Sequence, residues 1–203
     1  MTAGVALNTR PIEEIRKQYA TEPLFKSAHA ALAFAFNYSV FQYAISGMGA
    51  LIKNKPGEEA YIGTGRGLIG LDGAAQAGFI MREVCTLHWG EKMCLIARFA
   101  PQYESNQFSL TTQFKAALDI MVKESRQIQF TSECESLRLA LVWKYFGLRG
   151  QMQDYADSAG ISKRTAYRYY SDIHEILQNL EMRSMMLITD KLQELGVVHR
   201  ISE

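Results

Sequence analysis

The sequence is poor in the residues that interrupt regular structure or cross-link a chain. It contains four prolines and three cysteines in 203 residues. All four prolines and eleven of the fifteen glycines come before residue 102, so long helical patterns dominate beyond it. Cys85, Cys94 and Cys134 form an odd set without paired spacing. This pattern excludes a disulfide framework and predicts a reduced, intracellular chain.

Charge of one sign and long apolar runs are also lacking. Lys and Arg number 22 against 21 Asp and Glu, so a nucleic-acid partner would have to be recognised by a local patch. The most apolar stretch, 28–51, is interrupted by six polar side chains, whereas a membrane span needs ~20 mostly apolar residues. We therefore expect no membrane partner. A hydrophobic content of 48% excludes a mostly disordered chain.

Helical periodicity is widespread, while strand-like alternation is brief, and we predict an all-α fold. The predicted organisation is a helical N-terminal domain over residues 1–128 and a C-terminal domain over residues 129–203. In the N-terminal part the expected helices are Ile12–Tyr19, Pro23 to about Ser46, Asp72 towards Trp89 with a break at Gly90, a further helix to Phe99, and 109–124.

The C-terminal part carries the clearest helix boundaries. Ser132-Glu133-Cys134-Glu135 fits a capping box, and the helix after it is expected to end at Gly147. A second helix is predicted at roughly Gln151 to Ser158. Ser162 is a good N-cap for a third helix.

The stretch 151–172 has the pattern of a helix-turn-helix DNA-binding motif. Ala156 is a small residue that allows close helix approach, and Gly160, four positions on, suits the positive φ of a tight turn. Ile161 is then expected as a buried plug, with Ala166 and Tyr169 facing inward. The predicted inward stripe continues through Ile173, Ile176 and Leu180.

The other side of the third helix is basic. Three basic residues and no acidic ones lie between Ile161 and Ser171. Lys and Arg neutralise phosphates, Arg also grips guanine, and a helix N-terminus offers backbone donors to phosphate. The residues predicted to contact DNA are Ser162, Lys163, Arg164, Thr165, Tyr167, Arg168 and Ser171. The alternative is a structural helix-turn-helix with a solvated basic face.

The wider unit, Glu135 to Leu180, resembles region 4 of bacterial sigma factors. It is also similar to the C-terminal part of phage late-gene antitermination proteins of the Q type, with an aromatic-ended helix, a glycine-bounded turn and a long third helix. The resemblance implies a transcription regulator that binds double-stranded DNA and acts with RNA polymerase, in the cytoplasm of a bacterium or phage-infected host. Of the family's functional residues, only the basic face at 163–171 carries over. The zinc-binding cysteine cluster of some Q proteins is absent.

The third helix is expected to continue to Gly196, a good C-terminal stop. Three of the nine methionines lie in it, at Met182, Met185 and Met186. One interpretation is that this part packs on the N-terminal domain. The other is that residues 176–195 form a homodimer or polymerase contact, since methionine-rich surfaces adapt to partners.

Two weaker signals point to other chemistry. Gly65-Arg66-Gly67-Leu68-Ile69-Gly70 matches a dinucleotide-binding fingerprint but lacks the flanking strands that such a site needs. Cys85, His88 and Cys94 lack a fourth ligand for zinc, so we expect buried thiols and a packed histidine.

No catalytic arrangement is recognisable, and we predict a non-enzyme without cofactor, metal or catalytic residues. The alternatives to a transcription regulator that acts with polymerase are a protein–protein adaptor, a simple repressor with an oligomerising N-terminal domain, and a nucleotide-dependent enzyme.

Overall fold

A computed structural model describes residues 24–38, 71–103, 110–130, 135–148 and 150–199. Within these ranges the fold is all-α, as predicted, and β-structure is limited to the isolated bridges Phe25–Val198 and Tyr103–Leu110. Some predicted features fall outside the described residues. These are the helix at Ile12–Tyr19, the Gly65–Gly70 motif, the part of the second helix beyond residue 38, and the start of the capping box at Ser132.

The helices of the described residues are numbered in chain order. They are α1 (28–38), α2 (Leu71–Cys85), α3 (Trp89–Phe99), α4 (Thr112–Glu124), a 3-10 turn (Ser125–Gln127), α5 (Glu135–Tyr145), α6 (Met152–Ser158) and α7 (Lys163–Glu194). None of these helices combines the length and the apolar character that crossing a membrane requires.

The break between α2 and α3 differs from the predicted one. The sequence pattern predicts this break at Gly90, but α2 ends at Cys85 and Gly90 is the second residue of α3. The Glu91 carboxylate accepts a hydrogen bond from the His88 backbone N–H at 3.1 Å and defines the start of α3. A Cβ at Gly90 would lie 3.3 Å from Oε1 of Glu124, so this glycine allows α3 to pass close to α4. It serves packing and not helix termination.

The expectation of buried thiols and a packed histidine holds only in part. Cys94 is fully buried in α3, and this burial raises the pKa of its thiol to about 12. Cys85 is exposed at the end of α2, and His88 is exposed just before α3, so the prediction was wrong for both. The reason is the break itself: Cys85 is the last residue of α2 and His88 lies outside both helices, so the two side chains do not share a buried helical face.

One hydrophobic core runs through the described helices. Its fully buried side chains include Leu32 of α1, Leu95 of α3, Phe114 of α4, Leu141 of α5 and Ile188 of α7. These residues come from both sides of residue 128. The packing therefore does not mark a boundary there, and the division into residues 1–128 and 129–203 stays a prediction.

Helix α7 is a single element of 32 residues, roughly 48 Å long. It ends at Glu194, and Gly196 follows with φ 71°, as expected from the sequence. The inward stripe departs from the predicted one at Leu177, which is fully buried where Ile176 is only half-buried. The buried residues of α7 are Ala166, Tyr169, Ile173, Leu177, Ser184, Ile188 and Leu192.

The second half of α7 packs on helices from the N-terminal part of the chain. Arg98 of α3 pairs with Glu181 at 3.0 Å, and Arg183 pairs with the buried carboxylate of Glu91 at 2.9 Å. These contacts confirm the interpretation that this half of the helix packs against the N-terminal part. Because α7 is one uninterrupted helix, these contacts also connect its first half to the rest of the protein.

Candidate nucleic-acid interface

A tight turn at Gly160 joins α6 to α7. Gly160 adopts φ 65°, the left-handed region in which a glycine is favoured. The N–H of Ile161 donates to the carbonyl of Ala156 at 3.0 Å, and the N–H of Gly160 donates to the carbonyl of Asp157 at 3.2 Å. This pair of bonds is a Schellman motif, which satisfies the last carbonyls of α6 and reverses the chain within a few residues.

Helix α7 begins with a side-chain cap. The Ser162 hydroxyl accepts a hydrogen bond from the Thr165 backbone N–H at 3.1 Å, as its predicted N-cap role requires. The two hydroxyl oxygens of Ser162 and Thr165 also lie 2.8 Å apart, within hydrogen-bond distance. Both predicted DNA contacts are therefore engaged with each other at the helix N-terminus, where they orient its first turn.

On the inward side of the motif, Ala156, Ala166 and Tyr169 are buried as predicted, whereas Ile161, expected as a buried plug, is not fully buried. Ala156 of α6 and Ala166 of α7 are both completely buried, so the two helices approach closely. Tyr169 is 4% exposed, and Ile161 is half-buried against the same core. The packing fixes which side of α7 faces away from the protein.

The opposite side of α7 brings together five of the predicted contact residues. Their side chains are exposed and follow one another at helical spacing, and we call them the basic face: Lys163, Arg164, Tyr167, Arg168 and Ser171. In the parts of the chain that the structure describes, none of the three cations of this face forms an ion pair. Their charges are therefore available to an external anion.

Two of the three acidic residues of the motif lie on the other helix, and the third, Asp172, directly follows the basic face on α7. Asp154 and Asp157 belong to α6, and Asp157 accepts a hydrogen bond from the Gln153 side chain at 2.7 Å. The first nine residues of α7, from Lys163 to Ser171, carry positive charge only. Such a surface matches the phosphates and the guanine edges of a DNA major groove.

An aromatic contact on the inward side is not indicated by the sequence. Phe130, in the segment after α4, stacks on Tyr169 with ring centres 4.2 Å apart and planes at 17°. Phe130 is also covered by the guanidinium of Arg138, which lies 4.1 Å from the ring centre. No local pattern marks Phe130, because the segment that holds it is neither helical nor part of the motif.

A shallow groove of about 350 Å³ lies further along α7, next to Tyr170 and His174. Three of its polar groups are paired with one another, since Glu181 accepts from Tyr145 at 2.8 Å and pairs with Arg98. The pKa of Tyr145 is raised, first by burial and then by this hydrogen bond. These contacts join helices and leave the basic face as the candidate interface.

Comparison with known proteins adds no family assignment. No protein-family model matches the chain, and no curated protein is significantly similar to it. Among the described residues, no three His, Cys, Asp or Glu side chains are grouped to hold a metal ion. The geometry of α6 and α7 is therefore the basis for a functional proposal.

Proposed function

We propose that this protein is a transcription regulator that binds double-stranded DNA in a sequence-specific manner. The observation that carries the proposal is the basic face on the first turns of α7, directly after a positive-φ turn at Gly160. A helix held this way by a partner helix fits the major groove, which is about 12 Å wide.

Four residues of the basic face have a stated role in this proposal. Arg164 and Arg168, four positions apart, point to the same side and donate to guanine edges or phosphates. Lys163 contacts a phosphate, and the backbone N–H groups at the start of α7 bind another. Tyr167, which is 51% exposed, packs on the sugar-phosphate backbone.

The test is fluorescence anisotropy with random duplex DNA at stepped salt concentrations. Each phosphate contact contributes roughly −0.9 to the slope of log affinity against log salt. We expect the Arg164→Ala, Arg168→Ala double variant to lose up to about two such contacts and to bind much more weakly.

The matched control is the Lys115→Ala, Lys123→Ala variant. It removes two exposed cations from α4 and changes the net charge by the same amount outside the motif. We expect it to bind nearly as tightly as wild type. Equal losses in both variants would show non-specific attraction, and absence of binding by wild type at low salt would overturn the proposal.

The finer part of the proposal is a phage or prophage late-gene antiterminator or activator that acts with RNA polymerase. The resemblance of Glu135 to Leu180 to the Q-type proteins supports it. A terminator-readthrough assay with purified polymerase tests it, because a simple repressor would lower transcription and would not increase readthrough.

A second role as a protein–protein adaptor is favoured by one specific observation. Met182 and Met186, one turn apart on α7, are 56% and 59% exposed, although the same helix is buried on its other side. We propose this surface as a contact for RNA polymerase or for a second copy of the chain. A Met182→Glu, Met186→Glu variant should lose polymerase capture or shift sedimentation towards the monomer. Unchanged behaviour in both assays would exclude the surface.

A further inference from the structure

We infer that Phe130 is a positioning residue that orients Arg168 for DNA contact by stacking on Tyr169. This inference rests on the proposed function. Four side chains follow one another face to face: Arg138, Phe130, Tyr169 and Arg168, which we call the Phe130 stack.

The inner end of the Phe130 stack is anchored in the protein. Arg138 is only 8% exposed, and its guanidinium donates hydrogen bonds to the backbone carbonyls of Ser125 and Ile128. A buried cation needs such acceptors, because burying a charge without partners is costly. The guanidinium therefore ties the segment after α4 to α5 and holds Phe130 between itself and α7.

The outer end of the Phe130 stack reaches the basic face. Tyr169 is 4% exposed, and its ring lies 4.2 Å from that of Phe130, so the stack helps to fix its position. The guanidinium carbon of Arg168 lies 5.5 Å from the centre of the Tyr169 ring, within the range of a cation–π contact. One end of the stack is thus a buried arginine and the other an exposed one.

Ordering Arg168 before it meets DNA has an energetic consequence. A free arginine side chain loses rotamer freedom on binding, and this cost is reduced when the side chain is already held. Removing the Phe130 ring takes away the aromatic contact of Tyr169, and this loss weakens the support that the Tyr169 ring gives to Arg168. Phe130 thereby acts on DNA affinity without touching DNA.

The test compares Phe130→Leu with Phe114→Leu, which removes a ring that is fully buried in α4 outside the Phe130 stack. Both variants should be less stable, but only Phe130→Leu should weaken DNA binding, by roughly 3- to 10-fold. Its salt slope should fall by up to about one contact. Phe130→Tyr, which keeps the aromatic ring, should bind DNA nearly as tightly as wild type.

A double-mutant cycle with Arg168→Ala shows whether Phe130 acts through Arg168. We expect Phe130→Leu to have little further effect on affinity once Arg168 is absent. The same loss in both backgrounds would overturn the inference, as would equal binding by the Phe130→Leu and Phe114→Leu variants. If Phe130→Leu does not fold, Phe130→Met takes its place in the cycle. If wild type fails to bind DNA, the proposed function and this inference are both overturned. The anisotropy titration of wild type distinguishes this outcome from the others.

Discussion

The hydroxyl of Tyr145 donates a hydrogen bond to Oε2 of Glu181 at 2.8 Å. The other oxygen of the same carboxylate pairs with Arg98 at 3.0 Å. One carboxylate on α7 therefore contacts α3 and α5 together. Because α7 is continuous from Lys163 to Glu194, this junction sets the direction of the proposed recognition segment relative to the N-terminal helices.

Replacing Glu181 by alanine removes both contacts of this junction. We expect Glu181→Ala to lower the free energy of unfolding by about 1–2 kcal/mol, because the half-buried Tyr145 hydroxyl also loses its acceptor. Urea denaturation measures the change. Gln178→Ala, at an exposed position about one turn earlier on the same helix, is the control and should change stability by less than about 0.5 kcal/mol. Equal changes in the free energy of unfolding for Glu181→Ala and Gln178→Ala would show that the junction does not stabilise the protein.

Gly160 and Gly78 provide a matched pair for the backbone of the motif. Neither glycine has an atom within 4 Å of an added Cβ, but only Gly160 has positive φ. Gly160→Ala should therefore destabilise the protein by about 1–2 kcal/mol through backbone strain alone. Gly78→Ala, inside α2, should stabilise it by about 0.5–1 kcal/mol. Thermal unfolding of both variants measures the difference. A Gly160→Ala variant as stable as wild type would contradict the positive φ of this turn.

Ser162→Ala tests the cap of α7. The variant loses the acceptor for the Thr165 N–H and should be about 1 kcal/mol less stable. Ser162→Asp keeps an acceptor at the same place and should retain stability, while its negative charge weakens DNA binding. Chemical denaturation and DNA anisotropy of the two variants separate the capping role from the binding role. Equal stability of Ser162→Ala and wild type would show that the cap is dispensable.

The buried Cys94 predicts how stability changes at alkaline pH. Burial, and secondarily Glu181, raises the pKa of this thiol from 9.0 to about 12 in the folded protein. Between these values the unfolded chain releases the thiol proton and the folded chain keeps it, so stability falls as pH rises. Wild type should lose stability above pH 9 more steeply than Cys94→Ala. Thermal midpoints from pH 8 to 10.5 measure this, and parallel curves would contradict the buried thiol.

Local sequence was sufficient to predict much of the candidate site. The Ala156–Gly160 spacing, the Ser162 cap and the outward position of Arg164 and Arg168 all follow from backbone chemistry within a few residues. Local sequence was misleading at Gly90. A glycine inside a helix is indistinguishable from a helix stop until the neighbouring α4 is known.

The contacts that orient the site could not be predicted in this way. Phe130 and Tyr169, like Tyr145 and Glu181, are distant in sequence, and no periodic pattern indicates which distant side chains will meet. Hydrophobic periodicity specifies which side of α7 is buried, because burial depends only on the local order of apolar residues. Which helices cover that side depends on how the whole core packs, because close packing is a property of side chains from many helices at once.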